Sequence, residues 1–174
     1  PGRLNMGSAG GGTSLHLTGQ LFKYTAGVNL VHIPFKGTAP AITELMTGQI
    51  HVLFSTMPPA LPHVKSGKLR ALGVSSRTRA KTAPDLPTLI EAGVPGFDVL
   101  NWQGLVVPIK TSAAIVAKLN RDVQAALARP GMNELLAAQG LDAAGGTPEA
   151  FGKLIAAEIA RYKKLVQAAK IQAE

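Results

Sequence analysis

Cysteine is absent from this 174-residue chain, which excludes disulfides and thiolate metal sites. A cysteine-free chain suits a periplasmic and a cytosolic protein equally. Long hydrophobic runs are missing too: no stretch approaches the eighteen or so apolar residues that a membrane-spanning helix needs. Aromatic residues make up only 5%, and the single tryptophan, Trp102, lies outside the basic half, which argues against a nucleic-acid reader that stacks bases. Disorder is excluded by 46% hydrophobic against 16% charged residues. Acid is scarcest of all in the first half. Residues 1–84 hold nine Lys and Arg but one acid, Glu44, whereas residues 85–174 hold nine of each, so the whole net charge of +8 lies in the first half. That half focuses field on an anionic ligand, and a basic nucleic-acid surface or a solvated face would share the composition. No leader is visible, but Pro1 is not an initiator methionine, so this says nothing about export.

Glycine, by contrast, is concentrated at one place. Gly7-Ser8-Ala9-Gly10-Gly11-Gly12-Thr13 stands behind an apolar run, Leu4 to Ala9, that reads as a buried strand. In front of it runs a helical pattern of Leu17, Leu21 and Tyr24, closed by Gly27. A strand, a glycine turn and a helix start offer free amides and a helix dipole to an anion; the same pattern also serves tight strand-to-helix packing. Val28 to Phe35 reads as a second strand, which makes a βαβ unit with a right-handed crossover. A second turn, Phe35 to Pro40, places Pro40 at the first helical position and Thr38 or Ala39 at the cap, and Gly48 ends that helix. Ile50 to Phe54 reads as the next strand, and Ser55-Thr56-Met57-Pro58-Pro59 as a third turn opening a helix to Ser66. Such turns lie at the carboxyl ends of parallel strands, so Ser8, Thr13, Thr38, Ser55 and Thr56 are expected to tip one crevice.

Further on, Leu69 to Val74 reads as a fourth strand, Leu86 to Gly93 as a short helix, and Phe97 to Val107 as a long strand between two bodies. Helices are expected from Thr111, over 131–139 and from Thr147-Pro148-Glu149, the last with an apolar stripe that includes Phe151, Ile155 and Ile159.

The chemistry that these residues exclude is as informative. His16, His32, His51 and His63 lack metal-ligand spacing, so no metal is expected. Ser8 has no nucleophile elbow around it, and Gly11-Gly12-Thr13 lacks the lysine of a phosphate-binding P-loop. The glycines do not fit a dinucleotide fingerprint, and no cofactor is called for. Binding without catalysis remains the leading reading. A phosphate- or nucleotide-binding α/β enzyme domain that uses the Gly7 to Thr13 loop stays open as the alternative.

Several motifs in order carry a resemblance. Pro1-Gly2-Arg3-Leu4-Asn5-Met6-Gly7-Ser8-Ala9-Gly10, Gly12-Thr13, His16-Leu17 and Val31-His32-Ile33-Pro34-Phe35-Lys36-Gly37-Thr38-Ala39-Pro40 are followed by Gly48-Gln49-Ile50 and Gly67-Lys68-Leu69-Arg70-Ala71-Leu72. Leu86-Pro87-Thr88-Leu89, Glu91 to Phe97 and Gly146-Thr147-Pro148-Glu149 complete the set. The chain resembles the solute receptors of tripartite tricarboxylate transporters, the Bug-type extracytoplasmic receptors. The resemblance implies a non-catalytic, two-lobed periplasmic receptor of type II-like periplasmic-binding-protein fold. It closes on a small organic carboxylate, a di- or tricarboxylate or related acid, and delivers it to a membrane permease, with no nucleic acid involved.

The resemblance also assigns ligand-binding positions: Ser8, Ala9, Gly12 and Thr13 in the first loop, Gly37, Thr38 and Ala39 in the second, and Ser55 in the third. Family members often carry an acid near Ser55 and another at His51; their loss here suits a more fully anionic ligand. On this reading residues 1–97 are the second ligand-binding lobe, 98–107 the hinge crossing strand and 108–174 helices that cover a first lobe largely absent from the chain. Their apolar face is expected to be exposed, with self-association or a mobile tail as the consequence.

Overall fold

The computed structural model describes residues 2–168 and 171. Pro1 of the first motif and the remaining positions of the 108–174 segment lie outside the described residues. The amino-terminal part is a parallel sheet of three strands, β1 (Asn5–Ser8), β2 (Val31–Pro34) and β3 (Val52–Leu53), in the order β2-β1-β3. The register pairs Met6 with His32 and with Val52. Helix α1 (Ser14–Ala26) links β1 to β2, α2 (Thr38–Thr47) links β2 to β3, and α3 (Met57–Lys65) follows β3. The two crossovers step in opposite directions across β1, and right-handed connections then put α1 and α2 on opposite faces.

Packing on the two faces follows from small residues. On the α1 face a Cβ at Gly19 would stand 2.4 Å from Met6 Sδ, so glycine lets the helix lie directly on the buried Met6. Gly7, turned the other way, leaves room for Ile50, whose Cδ1 would be 2.3 Å from an added Cβ. Ala41, Ile42 and Ile50 are buried with it. A second cluster of Val94, Phe97 and Val99, with Leu21, Phe22 and Phe54 against it, extends the α1 side. The rings of Phe22, Phe54 and Phe97 lie 5.4–6.4 Å apart.

Thr13 caps α1, its hydroxyl accepting from His16 N–H, and Gly27 closes it in the left-handed conformation, as the spacing predicts. The start of α2 is a correction. Gly37, at φ 116°, is the cap and Thr38 the first helical residue, so Pro40 stands third, because a conformation open to glycine turns the chain early.

Leu69 to Val74 is not a strand: its one ladder contact is an isolated parallel bridge from Val74 to Thr88. The facing segment contains Pro87, which accepts from Val74 N–H and has no N–H to return. Leu86 to Gly93 is not a helix either. Thr88 and Glu91 form the reciprocal hydrogen bonds of a capping box, but Gly93 leaves space for a single turn. The expected strand from Phe97 to Val107 is extended coil, joined to the rest by Val99 N–H on Ser75 O. Without a neighbouring ladder, apolar alternation alone does not make a strand.

The three carboxyl-terminal helices form as expected: α4 (Ala113–Leu127), α5 (Met132–Ala138) and α6 (Pro148–Ala168). Only Leu165 is buried among their described residues, whereas Ile115, Val123, Leu135, Leu154 and Ile159 are exposed. Arg161 fastens α6 by donating to the carbonyl of Asp98 and pairing with Glu158 at 2.7 Å, and Phe151 packs edge-on against Trp102.

Candidate functional site

Three strand ends open toward one edge of the sheet, and the order β2-β1-β3 makes the carboxyl end of β1 a point where successive connections leave in opposite directions. Such a switch point leaves a crevice between the helix starts. The loop after β1 is shaped by Gly10 and Gly12, at φ 126° and 71°. Thr13 binds it across its neck, its hydroxyl donating to Gly10 O at 2.8 Å while accepting from His16 N–H at 3.3 Å.

Ser8 is fully buried, where it supports the loop: its Oγ is 2.7 Å from His32 Nε2 and accepts from Gly10 N–H at 3.2 Å. A serine against a histidine is the first half of a nucleophilic site. Here Oγ is buried beneath the loop, and the only acid of the first 84 residues, Glu44, lies on α2, on the far face of the sheet. His32 stacks on the buried His16 with centroids 4.0 Å apart, and His16 Nδ1 accepts from Gly12 N–H at 3.0 Å.

The amides left open are not all those expected from the sequence. Gly12 N–H is taken by His16, and Thr13 N–H makes a long bond of 3.4 Å to Gly10 O. Among the described residues no acceptor is found for the N–H groups of Gly11, Ser14 and Leu15, the loop and first turn of α1. These donors and the helix dipole favour a negative ligand.

Beside them is a cavity of about 50 Å³ that Ser14, Thr18, Ser55, Thr56, Ser75 and Asn101 supply with polar groups and Leu15 and Phe54 with apolar ones. It adjoins a larger apolar cleft of about 390 Å³ between α1 and α6, reaching Trp102 and Ile159, with Glu158 at its side. A cavity that small is one wall of a ligand site rather than an enclosure.

Of the positions carried over from the resemblance, Ser55 lines the cavity. Ala9, Gly12 and Thr13 form the loop above α1, Ser8 lies beneath it, and Gly37, Thr38 and Ala39 form the start of α2, outside the cavity lining. Sequence reasoning missed Ser14, Thr18, Ser75 and Asn101. Ser75 had a signal, since it directly follows the apolar run Leu69 to Val74 and so falls at the same edge. Asn101, which donates to Ser14 Oγ at 3.2 Å, had none. Among the described residues no group of three His, Asp or Glu is placed to hold a metal ion.

Residues 1–171 match the tripartite tricarboxylate transporter family receptor, TctC. A protein of a Pseudomonas species, "UPF0065 protein in tcbD-tcbE intergenic region", is 38% identical over 167 residues, covering 95% of this chain and 50% of that protein. The chain thus spans half the length of that relative.

Among solved structures, Rpa4515 of R. palustris with adipate superposes with a TM-score of 0.90 at 34% identity, over 98% of this chain and 57% of the other. The periplasmic binding protein BugD gives 0.85 at 32%, over 99% and 58%. MatC of Rhodopseudomonas palustris with bound malate gives 0.77 at 34%, over 95% and 57%. The fold is therefore the α/β lobe of periplasmic binding proteins. That shared lobe and a match along nearly the whole sequence lead to one assignment: the chain belongs to the TctC family of tripartite tricarboxylate transporter receptors.

Proposed function

We propose that this chain is the second lobe and carboxyl-terminal helices of a periplasmic receptor that captures a small organic carboxylate and presents it to a membrane permease. Residues 1–97 are the lobe, 98–107 the hinge segment and 108–174 the helices that pack on the first lobe. One observation carries the reading: among the described residues the amides of Gly11, Ser14 and Leu15 find no acceptor, and they stand beside a hydroxyl-lined cavity, in a half-chain that holds a single acid. The carboxylate sits on these donors and on the hydroxyls of Ser14, Ser55 and Thr56, with Thr13 and the Gly10 to Gly12 turn holding the loop in shape. The second loop, Gly37 to Ala39, presents the start of α2 to the same edge. Adipate and malate in the related structures support a dicarboxylate.

Thermal unfolding with mono-, di- and tricarboxylates, adipate and malate among them, tests this, with phosphate, nucleotides and short DNA as controls. A ligand at about 100 times its Kd adds roughly 2.7 kcal/mol, a shift of several degrees for a chain of this size. Stabilisation by one carboxylate class supports the receptor; stabilisation by nucleotides or DNA instead refutes it.

A further inference from the structure

The glycine loop is anchored on a histidine, and we propose that neutral His16 is the positioning residue of the anion loop, so that protonation of its ring releases the loop and weakens anion binding. The anion itself rests on the receptor reading above; the role of His16 in the loop does not.

Gly12 N–H donates to His16 Nδ1 at 3.0 Å. A backbone N–H cannot turn round, so Nδ1 carries a lone pair and the ring proton sits on Nε2. Nε2 lies 3.0 Å from the Gln20 carboxamide, whose oxygen, once turned inward, accepts that proton. His16 is 3% exposed and stacks on His32, which holds Ser8, which accepts from Gly10 N–H. The amides of Gly10 and Gly12, the two left-handed glycines of the loop, therefore both end on one stack of side chains.

The neighbouring elements contribute these ionisable groups. β2 contributes His32 itself, while β1 and the loop from Ala9 to Thr13 hold no ionisable group. α1 contributes Lys23 and Tyr24 two turns beyond His16, and Lys36 after β2 is exposed. Protonation at Nδ1 would set two donors face to face at 3.0 Å and place a charge in a buried stack with a second imidazole. Both effects oppose the loop conformation seen here. A positive ring near an anion would by itself strengthen binding, so the sign of the pH effect distinguishes loop shape from bare charge.

The test is a pH titration of the ¹⁵N-labelled full chain by NMR, from about pH 8 to about pH 5, beside the variant His16→Asn. The asparagine Oδ1 takes the place of Nδ1 and accepts the same N–H without titrating. Expected are the Nε2–H tautomer of His16 at the upper pH and shifts of the Gly10 and Gly12 amides that share its midpoint. In His16→Asn the Gly12 amide stays constant. With adipate as probe, the affinity of the unmodified chain falls about tenfold toward acid, the effect of one lost hydrogen bond, and that of the variant does not.

An Nδ1–H tautomer, loop amides indifferent to His16, or an unchanged pH profile in the variant overturns the proposal. Binding that strengthens toward acid also overturns it, in favour of bare charge. If adipate binds at no pH, adipate is excluded as the ligand of this chain, and the tautomer and loop titration still decide the role of His16.

Discussion

Replacing Thr13 by alanine removes one hydroxyl that ties the glycine loop to its helix. That hydroxyl donates to Gly10 O at 2.8 Å and accepts from His16 N–H at 3.3 Å. The first bond is short and closes the loop; its net worth is about 1 kcal/mol. The second is a long capping bond, at the low end of the roughly 0.5–2 kcal/mol that caps contribute. Thr13→Ala should therefore cost about 1.5 kcal/mol, a fall of about 3–6 °C in midpoint for a chain of this length. Thr13→Ser keeps the hydroxyl in place and loses only a methyl, so it should stay within about 0.5 kcal/mol of the parent. Thermal and urea unfolding by circular dichroism give the stabilities, and adipate titration of all three proteins gives the function. The loop argument predicts that Thr13→Ala loses affinity and Thr13→Ser keeps it. Equal behaviour of the two variants, or an alanine as stable as threonine, would refute the assignment of loop closure to this hydroxyl.

Two further outcomes follow from contacts elsewhere. A Cβ at Gly104 would stand 2.1 Å from Phe151 Cζ, so Gly104→Ala should push the start of α6 away from the segment around Trp102. Overpacking of this kind costs about 1–3 kcal/mol, and the emission of Trp102, whose ring meets Phe151 edge-on, should shift with it; an unchanged spectrum argues against that docking. The carboxylate of Glu91 is held below the ordinary range, first by the N–H of Thr88 at 2.7 Å and then by Arg79 at 3.0 Å. A lowered folded-state value means that the stabilisation exists above the carboxylate range and is lost as pH falls through the lowered value. The thermal midpoint of Glu91→Gln should therefore lie below the parent at neutral pH and meet it once the pH has fallen through the lowered value; a gap that persists in stronger acid contradicts the assignment.

Local chemistry was what could be read from the sequence. The capping hydroxyl of Thr13 and the left-handed Gly27 bound α1 because both act within one turn, and the βαβ order followed from spacing alone. Misreadings came where a residue's role depends on a distant neighbour. Val74 has a strand's composition, but the segment facing it carries Pro87, and Thr88 with Glu91 makes a sound helix start with no length behind it. At the site, the hydroxyl tips were visible and their use was not. Ser8 is buried under the loop because His32, 24 residues away, stands on the same face of the sheet. His16 was weighed only as a metal ligand; that its ring accepts from Gly12 N–H appears only once the loop is folded.

The sheet order also dictates a sequence of events in time. β1 meets β2 at Asn5 and Val31 and β3 at Met6 and Val52, so every ladder of the sheet closes within the first 53 residues. The link from Arg161 to Asp98 spans 63 residues, and that from Asn101 to Ser14 spans 87. Short loops close first, and a chain emerging from the ribosome at about 5–20 residues per second completes the three-strand unit seconds before α6 exists. The long helix then docks on a body already formed. The expected signature of late docking is that loosening Arg161 hastens unfolding and leaves the folding rate nearly untouched; an equal slowing of folding in stopped-flow kinetics contradicts it.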